Sequence, residues 1–512
     1  MRVTTKVIER NTLSNINTNK VLQDKLSNQM GTQKKINRPS EDPIVAIRAL
    51  RLRNNVSQVT QFYERNIPDA NSWLEITEDA LESVSDVVTD MIRECHKGSS
   101  EKLKQSDRQA ILDAISSLRD EVYATGNSDY AGRCIFTGYR TDTTLKFTKP
   151  ETKNYSITEQ VQLDKFDSVK YIEMNGLDEL TEANYDGAAL SGLVETDIKE
   201  YDIHRLRLAY SNVDDTTGGI SLSYMDGTTE NSIGSIASMD KAAAYDAISQ
   251  ANDAGTEVAV YIPETGEILM SDAYYENQVE THDGQEFRVQ YNKSQWVKDD
   301  LRPEHYFACT DMTDADPANH IAYNQEYLTE AEREKQVIEY DVGLNQVIRV
   351  NTTADEVFAH DIGRDVDDLV DVMNELDELE QRIATLNDLA EKNASDPTAM
   401  ATINSQLEAA NKAQVYLNEK RQKLFEHSIT KMQEHLDNVN YAITNCGTRS
   451  KKLELIENRL MSQKTTFETL ASDNEDVDLA EVAVQLSSAE MTYNAALMAT
   501  GKVLQTTLVN YL

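Results

Sequence analysis

The chain has no GxGxxG loop, no P-loop and no HExxH helix, so it gives no sequence support for a nucleotide cradle or zinc-protease chemistry. Cysteine is scarce. Cys95, Cys134, Cys309 and Cys446 lie far apart, and no CxxC pair occurs. That spacing does not suggest zinc, and it leaves the thiols' redox state open between buried free cysteines and a disulfide. Long apolar runs are also missing, so no transmembrane helix is expected. Residues 1–30 hold no apolar core and no small-residue cleavage site, which argues against a Sec signal peptide. The expectation is a protein that stays in the cytoplasm or leaves by a route that reads an uncleaved terminus.

Positive charge is short overall, with 50 Lys+Arg against 88 Asp+Glu and a net charge of −38. Such a balance argues against nonspecific nucleic-acid binding, which needs a cationic footprint. Residues 1–65 break the trend, with 12 basic against 5 acidic residues, or +7. This basic segment is suited to acidic neighbours in an assembly, or it is a solvated helix face.

What is present is helical patterning at both ends. Residues 1–38 contain no proline, and Val3, Val7, Leu13, Ile16, Leu22, Leu26 and Met30 form an imperfect stripe. Pro39 and Pro43 predict a turn over 36–44. Leu74, Thr77, Leu81, Val84, Val88 and Met91 repeat at alternating spacings of three and four, a coiled-coil seam within a helix expected to reach about 96. Lys97–Ser100 predicts a turn. Ser106–Gln109 predicts a capping box, before a helix that ends at Gly126–Ser128.

The middle has a different texture. Eleven of the 19 glycines fall between 140 and 350. Val258–Met270 alternates around Pro263–Gly266, which predicts a hairpin, and Ile220–Tyr224 and Phe287–Tyr291 alternate as strands do. Short helices are expected near Met239–Ala251 and Leu328–Lys335. Helix returns after 351. Seams run through Leu369–Leu386 and Phe425–Ile443, with a break at Asn393–Pro397 and an acidic joint at Asp473–Asp478. The class is α+β: a long coiled-coil rod built from both termini, with a β-rich lobe inserted from the middle. The expected domains are 1–40 with 472–512, 41–140 with 346–471, and a lobe of one or two parts at 141–345.

Three weaker chemical patterns deserve mention. His305 and Cys309 lie close, with His320 nearby, as a Cys/His nucleophile would require. Cys95–His96 is a lone pair. Asp311, Asp314 and Asp316 resemble half of a calcium loop without its glycine or closing glutamate, so a solvated acidic loop is the better reading.

Several segments carry a family resemblance. Lys35–Pro43 with Ile44–Leu50, Asn66–Ile67 with Trp73–Leu81, and Asn474–Glu481 with Ala495–Leu497 and Leu508–Leu512 resemble the flagellin superfamily. The Pro-Ser-Glu-Asp-Pro turn and the tryptophan favour its hook–filament junction members over flagellin itself. Gly132–Gly138 and Asn351–Phe358 look like the chain's exit from the rod and its return. Gly31–Thr32–Gln33 departs from the family's Ser-Ser-Gly, residues 390–420 look like an extra helical segment, and the middle is longer than in a minimal member.

The resemblance implies a secreted, structural, non-enzymatic adaptor without cofactor or metal. It would be exported by the flagellar type III system with the N-terminus as an uncleaved signal. The implied partners are copies of itself in a helical ring, hook-associated protein 1, flagellin, and an export chaperone on the C-terminal helix. The candidate interface comprises Val3, Val7, Leu13, Ile16, Leu22 and Leu26 with Val484, Met491, Leu497, Leu504, Leu508 and Leu512. Their sparse stripes predict terminal segments that are marginal alone and order against neighbours. Flagellin is the nearest alternative. An enzyme or adhesin within 141–345 and a cytoplasmic coiled-coil scaffold are the others.

Overall fold

The computed structural model describes residues 5–100, 103–174, 177, 193–215, 220–329 and 336–509. The chain opens with α1 (Thr5–Thr32), α2 (Pro43–Gln61), α3 (Ile67–Gly98) and α4 (Gln105–Thr125). A short hairpin follows, β1 (Asp129–Tyr130) and β2 (Arg133–Cys134). Then come β3 (Glu151–Val161), β4 (Phe166–Glu173), β5 (Lys199–Arg207), β6 (Ile220–Asp226), β7 (Thr229–Ser238), α5 (Lys241–Ala254), β8 (Ala259–Ile262) and β9 (Glu267–Met270). After a single turn, α6 (Asp272–Tyr274), the strands β10 (Phe287–Trp296), β11 (Ala308–Asp311), β12 (Ile321–Tyr323), β13 (Glu339–Gly343) and β14 (Gln346–Arg349) lead back to helix. The last helices are α7 (Ala354–Val357), α8 (His360–Lys392), α9 (Pro397–Glu475) and α10 (Leu479–Val509). Long helices at both ends thus flank a strand-rich middle, the α+β class read from the sequence.

The chain forms two compact units where three domains were expected. One comprises Ser72–Glu339 and Arg349–Ser450, the other Met1–Asn71, Tyr340–Ile348 and Lys451–Leu512. The middle strands do not separate from the helices that flank them, because side chains of the strand segment complete a helical core.

In the larger unit, Leu74, Leu81, Val84, Val88 and Met91 are fully buried along α3, as the seam predicts. The α3 and α9 helices run antiparallel. Cys446 Sγ lies 3.4 Å from the Leu74 carbonyl oxygen. At the far end Gly98 meets Phe425, where a Cβ would sit 2.2 Å from the ring, so only glycine lets the helices close. Buried Arg421 donates to the Gly98 and Ser100 carbonyls, satisfying groups that the end of α3 leaves open. The α8–α9 hairpin, broken at Asn393–Pro397 as expected, packs Leu376, Leu379, Leu386, Ile403 and Leu417 together. Ile172, Leu177 and Ile198 from the strand segment join that core. Residues 390–420 form the tip of this hairpin.

Ten strands form one sheet in the order β12-β11-β3-β10-β6-β7-β8-β9-β5-β4, antiparallel except at β7–β8. The β8–β9 hairpin matches the alternation of 258–270, and Phe287 pairs with Tyr224 across β10 and β6. Gly266 closes the hairpin turn at φ 68°, where a Cβ would stand 2.0 Å from the Tyr210 carbonyl oxygen. The exit and return segments meet at Phe136 and Phe358, whose rings pack edge to face at 4.9 Å.

A buried charge network ties the sheet to α8. Arg205, 3% exposed, reaches Asp167 at 2.7 Å, Glu267 at 2.6 Å and Asp368 at 2.9 Å, and Arg207 reaches Asp368 at 2.7 Å. Burial opposes the charge on Asp368, yet Arg205 and Arg207 hold its carboxyl well below the usual carboxylate range.

Some expectations change. The Ser106–Gln109 capping box does not form. Lys104 is the N-cap of α4, without a side-chain cap bond, and Ser106 lies inside the first turn. The helix expected to run to about 96 is interrupted by a π turn at Phe62–Asn66. Near Leu328–Lys335 only a 3₁₀ turn, Gln325–Leu328, is seen, and 330–335 lie outside the described residues.

Arg205→Ala leaves Asp167 and the buried Glu267 without their cation, while Asp368 keeps Arg207, and is expected to cost about 3 kcal/mol, read from denaturant unfolding. Because the folded pKa of Asp368 is depressed, its contribution is complete above the unfolded carboxylate value of 3.8. It is lost as pH falls through the lower folded value. The variant should therefore lose part of the native protein's acid dependence below about pH 4.

Candidate assembly surface

The smaller unit brings the two ends of the chain together. The basic turn after α1 lies against the acidic joint between α9 and α10. The Lys35 N–H donates to the Glu475 carbonyl at 2.7 Å, and the Val477 N–H donates to the Gln33 carbonyl at 3.1 Å. Gln33 takes φ 62° to make that turn. Around this crossing Lys34 pairs with Asp476 at 2.5 Å and with Glu475 at 3.4 Å. Arg53 of α2 forks onto Glu475, with Nε donating to Oε1 at 2.6 Å. A planar guanidinium matched to a carboxylate in this way gives directional as well as electrostatic support. The Arg53 hydrogen bond leads in holding the Glu475 carboxyl below its usual range, and the Lys34 hydrogen bond does the same for Asp476. Part of the N-terminal basic charge therefore meets the chain's own acids.

From that crossing α1 and α10 run back antiparallel. Leu26, Val482 and Ala489 form their buried core, with Val477 and Leu486 half-buried beside it. Among the described side chains, two helices of 28 and 31 residues thus bury little between them. Val7, Leu13, Leu22 and Met30 remain exposed on α1, and Val484, Met491, Leu497 and Met498 on α10, with Val484 at 71% and Met491 at 70%. Each such side chain gains about 1.5–3 kcal/mol on full burial, so the pair is left with an unsatisfied apolar surface.

The structure sorts the candidate residues. Val7, Leu13, Leu22, Val484, Met491 and Leu497 are exposed, and Ile16 is half-buried. Leu26 is a correction. At 4% exposure it is spent inside the α1–α10 contact and is not available to a partner. Val3 and Leu512 lie outside the described residues. Leu504 and Leu508 lie on α10, whose backbone alone is described there.

Sequence reading missed one part. On α2, Ile44, Ile47 and Leu50 are exposed at 72%, 54% and 63%, while Ala46 and Ala49 face inward. With Arg48 and Arg51 on the same helix, this is an amphipathic basic surface of the same unit. The signal was available. Large residues and alanines alternate along α2, and the small ones mark the close-packed face.

The other chemical candidates are not assembled into a reactive site. His305 is buried, its Nε2 lying 3.3 Å from Thr143 Oγ1 and 3.2 Å from the Thr144 carbonyl, and burial pushes its pKa down to about 4. Burial raises the Cys309 thiol far above its usual value, so neither the thiolate nor a charged imidazole forms near neutrality. Asp311, Asp314 and Asp316 spend oxygens on the Thr313, Asp316 and Ala318 amides. His96 is exposed while Cys95 is buried, so that pair does not face one site. Among the described residues no cluster of three His, Cys, Asp or Glu could hold a metal, and no helix is long and apolar enough to cross a membrane.

Comparison with known proteins bears on the same helices. The family model for the bacterial flagellin N-terminal helical region matches residues 3–141. Flagellar hook-associated protein 3 of Salmonella typhimurium is 29% identical over 143 residues, and that of Escherichia coli is 29% identical over 144. Each alignment covers 28% of this chain and 45% of the relative, so the chain spans less than half the length of these curated relatives. The solved flagellar hook associated protein-3 of Legionella pneumophila aligns over 82% of this chain and 97% of its own, at 10% identity and a TM-score of 0.29. That score is too low to bear on the fold. Over residues 3–141 the chain is similar to the N-terminal helical region of bacterial flagellin. The curated relatives that it resembles are flagellar hook-associated protein 3.

Two outcomes are expected. Glu475→Gln removes the charge that Arg53 and Lys34 share and, because both cations are largely exposed and screened by solvent, should cost about 1 kcal/mol at the crossing. Hydrogen exchange would show it as faster exchange in α1 and α10 with α3 unchanged. Cys95, Cys309 and Cys446 are buried and only Cys134 is half-buried, all four as free thiols. A thiol reagent should therefore label Cys134 alone in the native chain and all four cysteines in denaturant.

Proposed function

We propose that this chain is a structural subunit of the bacterial flagellum, acting at the hook–filament junction. The observation that carries this reading is the α1–α10 pair, which closes on itself at Leu26, Val482 and Ala489 while leaving apolar side chains exposed on both helices. A surface of that kind is stable in an assembly, where neighbouring copies bury it, and is a liability in a free chain. The likeness of residues 3–141 to the flagellin N-terminal helical region supports the same assignment.

In this reading the terminal helices, 1–40 with 472–512, pack among copies in a heterologous lattice that grows as an open helix or ring. One end meets hook-associated protein 1 and the other receives flagellin. No catalytic role is assigned to the chain. Export follows the flagellar type III route with the N-terminus as an uncleaved signal, and the protein works outside the cell. Before export a chaperone covers Val484, Met491 and Leu497 on α10, in the manner of a helix lying in an apolar groove. Ordering α1 and α10 fully only on docking prevents premature assembly, since their own contact is small.

Deleting the gene tests the reading directly. The expected result is loss of filaments with abundant unpolymerised flagellin in the medium. Absence of flagellin everywhere would make the chain the filament subunit, and normal motility would overturn the assignment. Replacing Val484 and Met491 together by glutamate should leave the purified chain folded by circular dichroism. In cells it should reproduce the deletion, because charge replaces apolar surface only where copies meet.

A further inference from the structure

Two histidines, His305 and His360, sit where the strand-rich segment leaves the helices and rejoins them. The chain leaves past Thr143, Thr144 and Leu145, and it returns at Phe358, just before α8 opens with His360. Residues 302–307 lie between these two places. The Arg302 N–H donates to the Leu145 carbonyl at 2.9 Å, and the Tyr306 hydroxyl donates to the Phe358 carbonyl at 2.9 Å.

His305 is 6% exposed, and its Nε2 lies beside Thr143 Oγ1 and the Thr144 carbonyl. Thr143 spends its own hydrogen on the Arg140 carbonyl at 3.1 Å. Both neighbours of Nε2 therefore accept, and Nε2 carries the hydrogen of the neutral ring. Nδ1 is left with the lone pair and has no hydrogen-bond partner. A proton taken up there makes an enclosed N–H with nothing to accept it. The charged groups around it are Arg302 and Glu304, 3.5 Å apart on its own turn, and Arg140 and Asp142, 3.2 Å apart in the exit loop. Glu304 favours a charged ring, but burial outweighs it and pushes the His305 pKa down to about 4.

His360 is walled by the rings of Tyr306 at 4.4 Å, Tyr210 at 4.9 Å and Phe307 at 5.1 Å. Its Nε2 also has no partner. The charged groups beside it on α8 are engaged elsewhere. Asp361 pairs with Lys165, and Arg364 pairs with Asp367 and donates to the Leu208 carbonyl. Burial pushes the His360 pKa down to about 3.

We propose that these two histidines form a proton-operated latch between α8 and the strand-rich segment. Neutral rings keep it shut. Protonation in mild acid releases residues 302–309 and the exit loop from α8, while the α3–α9 seam stays closed. Because the folded values are depressed, each neutral ring contributes its full stability above the unfolded histidine value of 6.5. That stability is lost as pH falls toward the folded value. Glu159 titrates in the opposite sense, since burial raises its carboxyl to about 7. Its bonds from Tyr291 and the Ala209 amide lie away from the latch, and it stays in place when the latch opens. The latch is a property of the folded chain and does not depend on the assembly reading.

The buried thiols report its opening. Cys309, 1% exposed, lies two residues past Phe307, whereas Cys95 and Cys446 are buried on α3 and α9. Full-length protein is treated with a dipyridyl disulfide, which reacts in acid, at about pH 7.5 and about pH 5. Each thiol's rate is divided by its rate in denaturant at the same pH. The Cys309 ratio should rise about thirtyfold for each histidine that titrates, with Cys95 and Cys446 unchanged. His305→Gln offers Thr144 an N–H without a site to protonate, and His360→Phe keeps a ring in the cage. Each variant should remove its own share of the rise. No rise at Cys309, an equal rise at all three thiols, or a rise unchanged in both variants overturns the latch. For a variant that fails to fold, NMR of the native protein's histidine rings supplies the test. Two rings still neutral at about pH 5 support the latch, and eight rings titrating near 6.5 overturn it.

Discussion

The antiparallel seam between α3 and α9 is the contact on which the larger unit depends. It joins Leu74 to Cys446, which are 372 residues apart in the chain. Closing so long a loop costs entropy that grows only slowly with its length, so a large insertion between the two helices is tolerated once the seam is well packed. The packing is dense. Leu74, Leu81, Val84, Val88 and Met91 are fully buried, and Gly98 leaves no room for a side chain against Phe425. The ten-stranded sheet is then held by what it adds to the helices. Ile172, Leu177 and Ile198 complete the α8–α9 core, and Arg205 pins β5 to α8.

The smaller unit is organised differently. Its specificity comes from a polar crossing, where Arg53, Lys34, Glu475 and Asp476 set the turn after α1 against the joint before α10. Its apolar contact is slight. A directional clamp beside a lightly packed helix pair fixes where the termini begin to pair while leaving apolar side chains exposed on both helices. The chain is acidic as a whole, its first 65 residues are basic, and part of that basic charge is met at this crossing.

Much of this was legible in the sequence. The heptad seams of α3 and α9, the break at Asn393–Pro397, the β8–β9 hairpin and the acidic joint all follow from local periodicity or turn chemistry, which the backbone enforces residue by residue. The exposed stripe of α10 was legible for the same reason. The role of Leu26 was not, because whether an apolar residue faces a partner or its own chain depends on which helix lies beside it. The Ser106 capping box failed likewise: a motif states what a side chain can bond, and the entry of the chain into α4 at Lys104 decided that it did not.

By itself, then, the sequence determined the helical ends, the strand-rich middle and the chemistry of the joint, since these are set by spacings within a few turns of chain. Tertiary structure decided the rest. It divided the chain into two units, paired Arg53 with Glu475, turned Ile44, Ile47 and Leu50 outward, and placed β4 and β12 at opposite edges of one sheet. Each of these joins or separates residues far apart in the sequence, and no local pattern encodes which distant surface a side chain will meet.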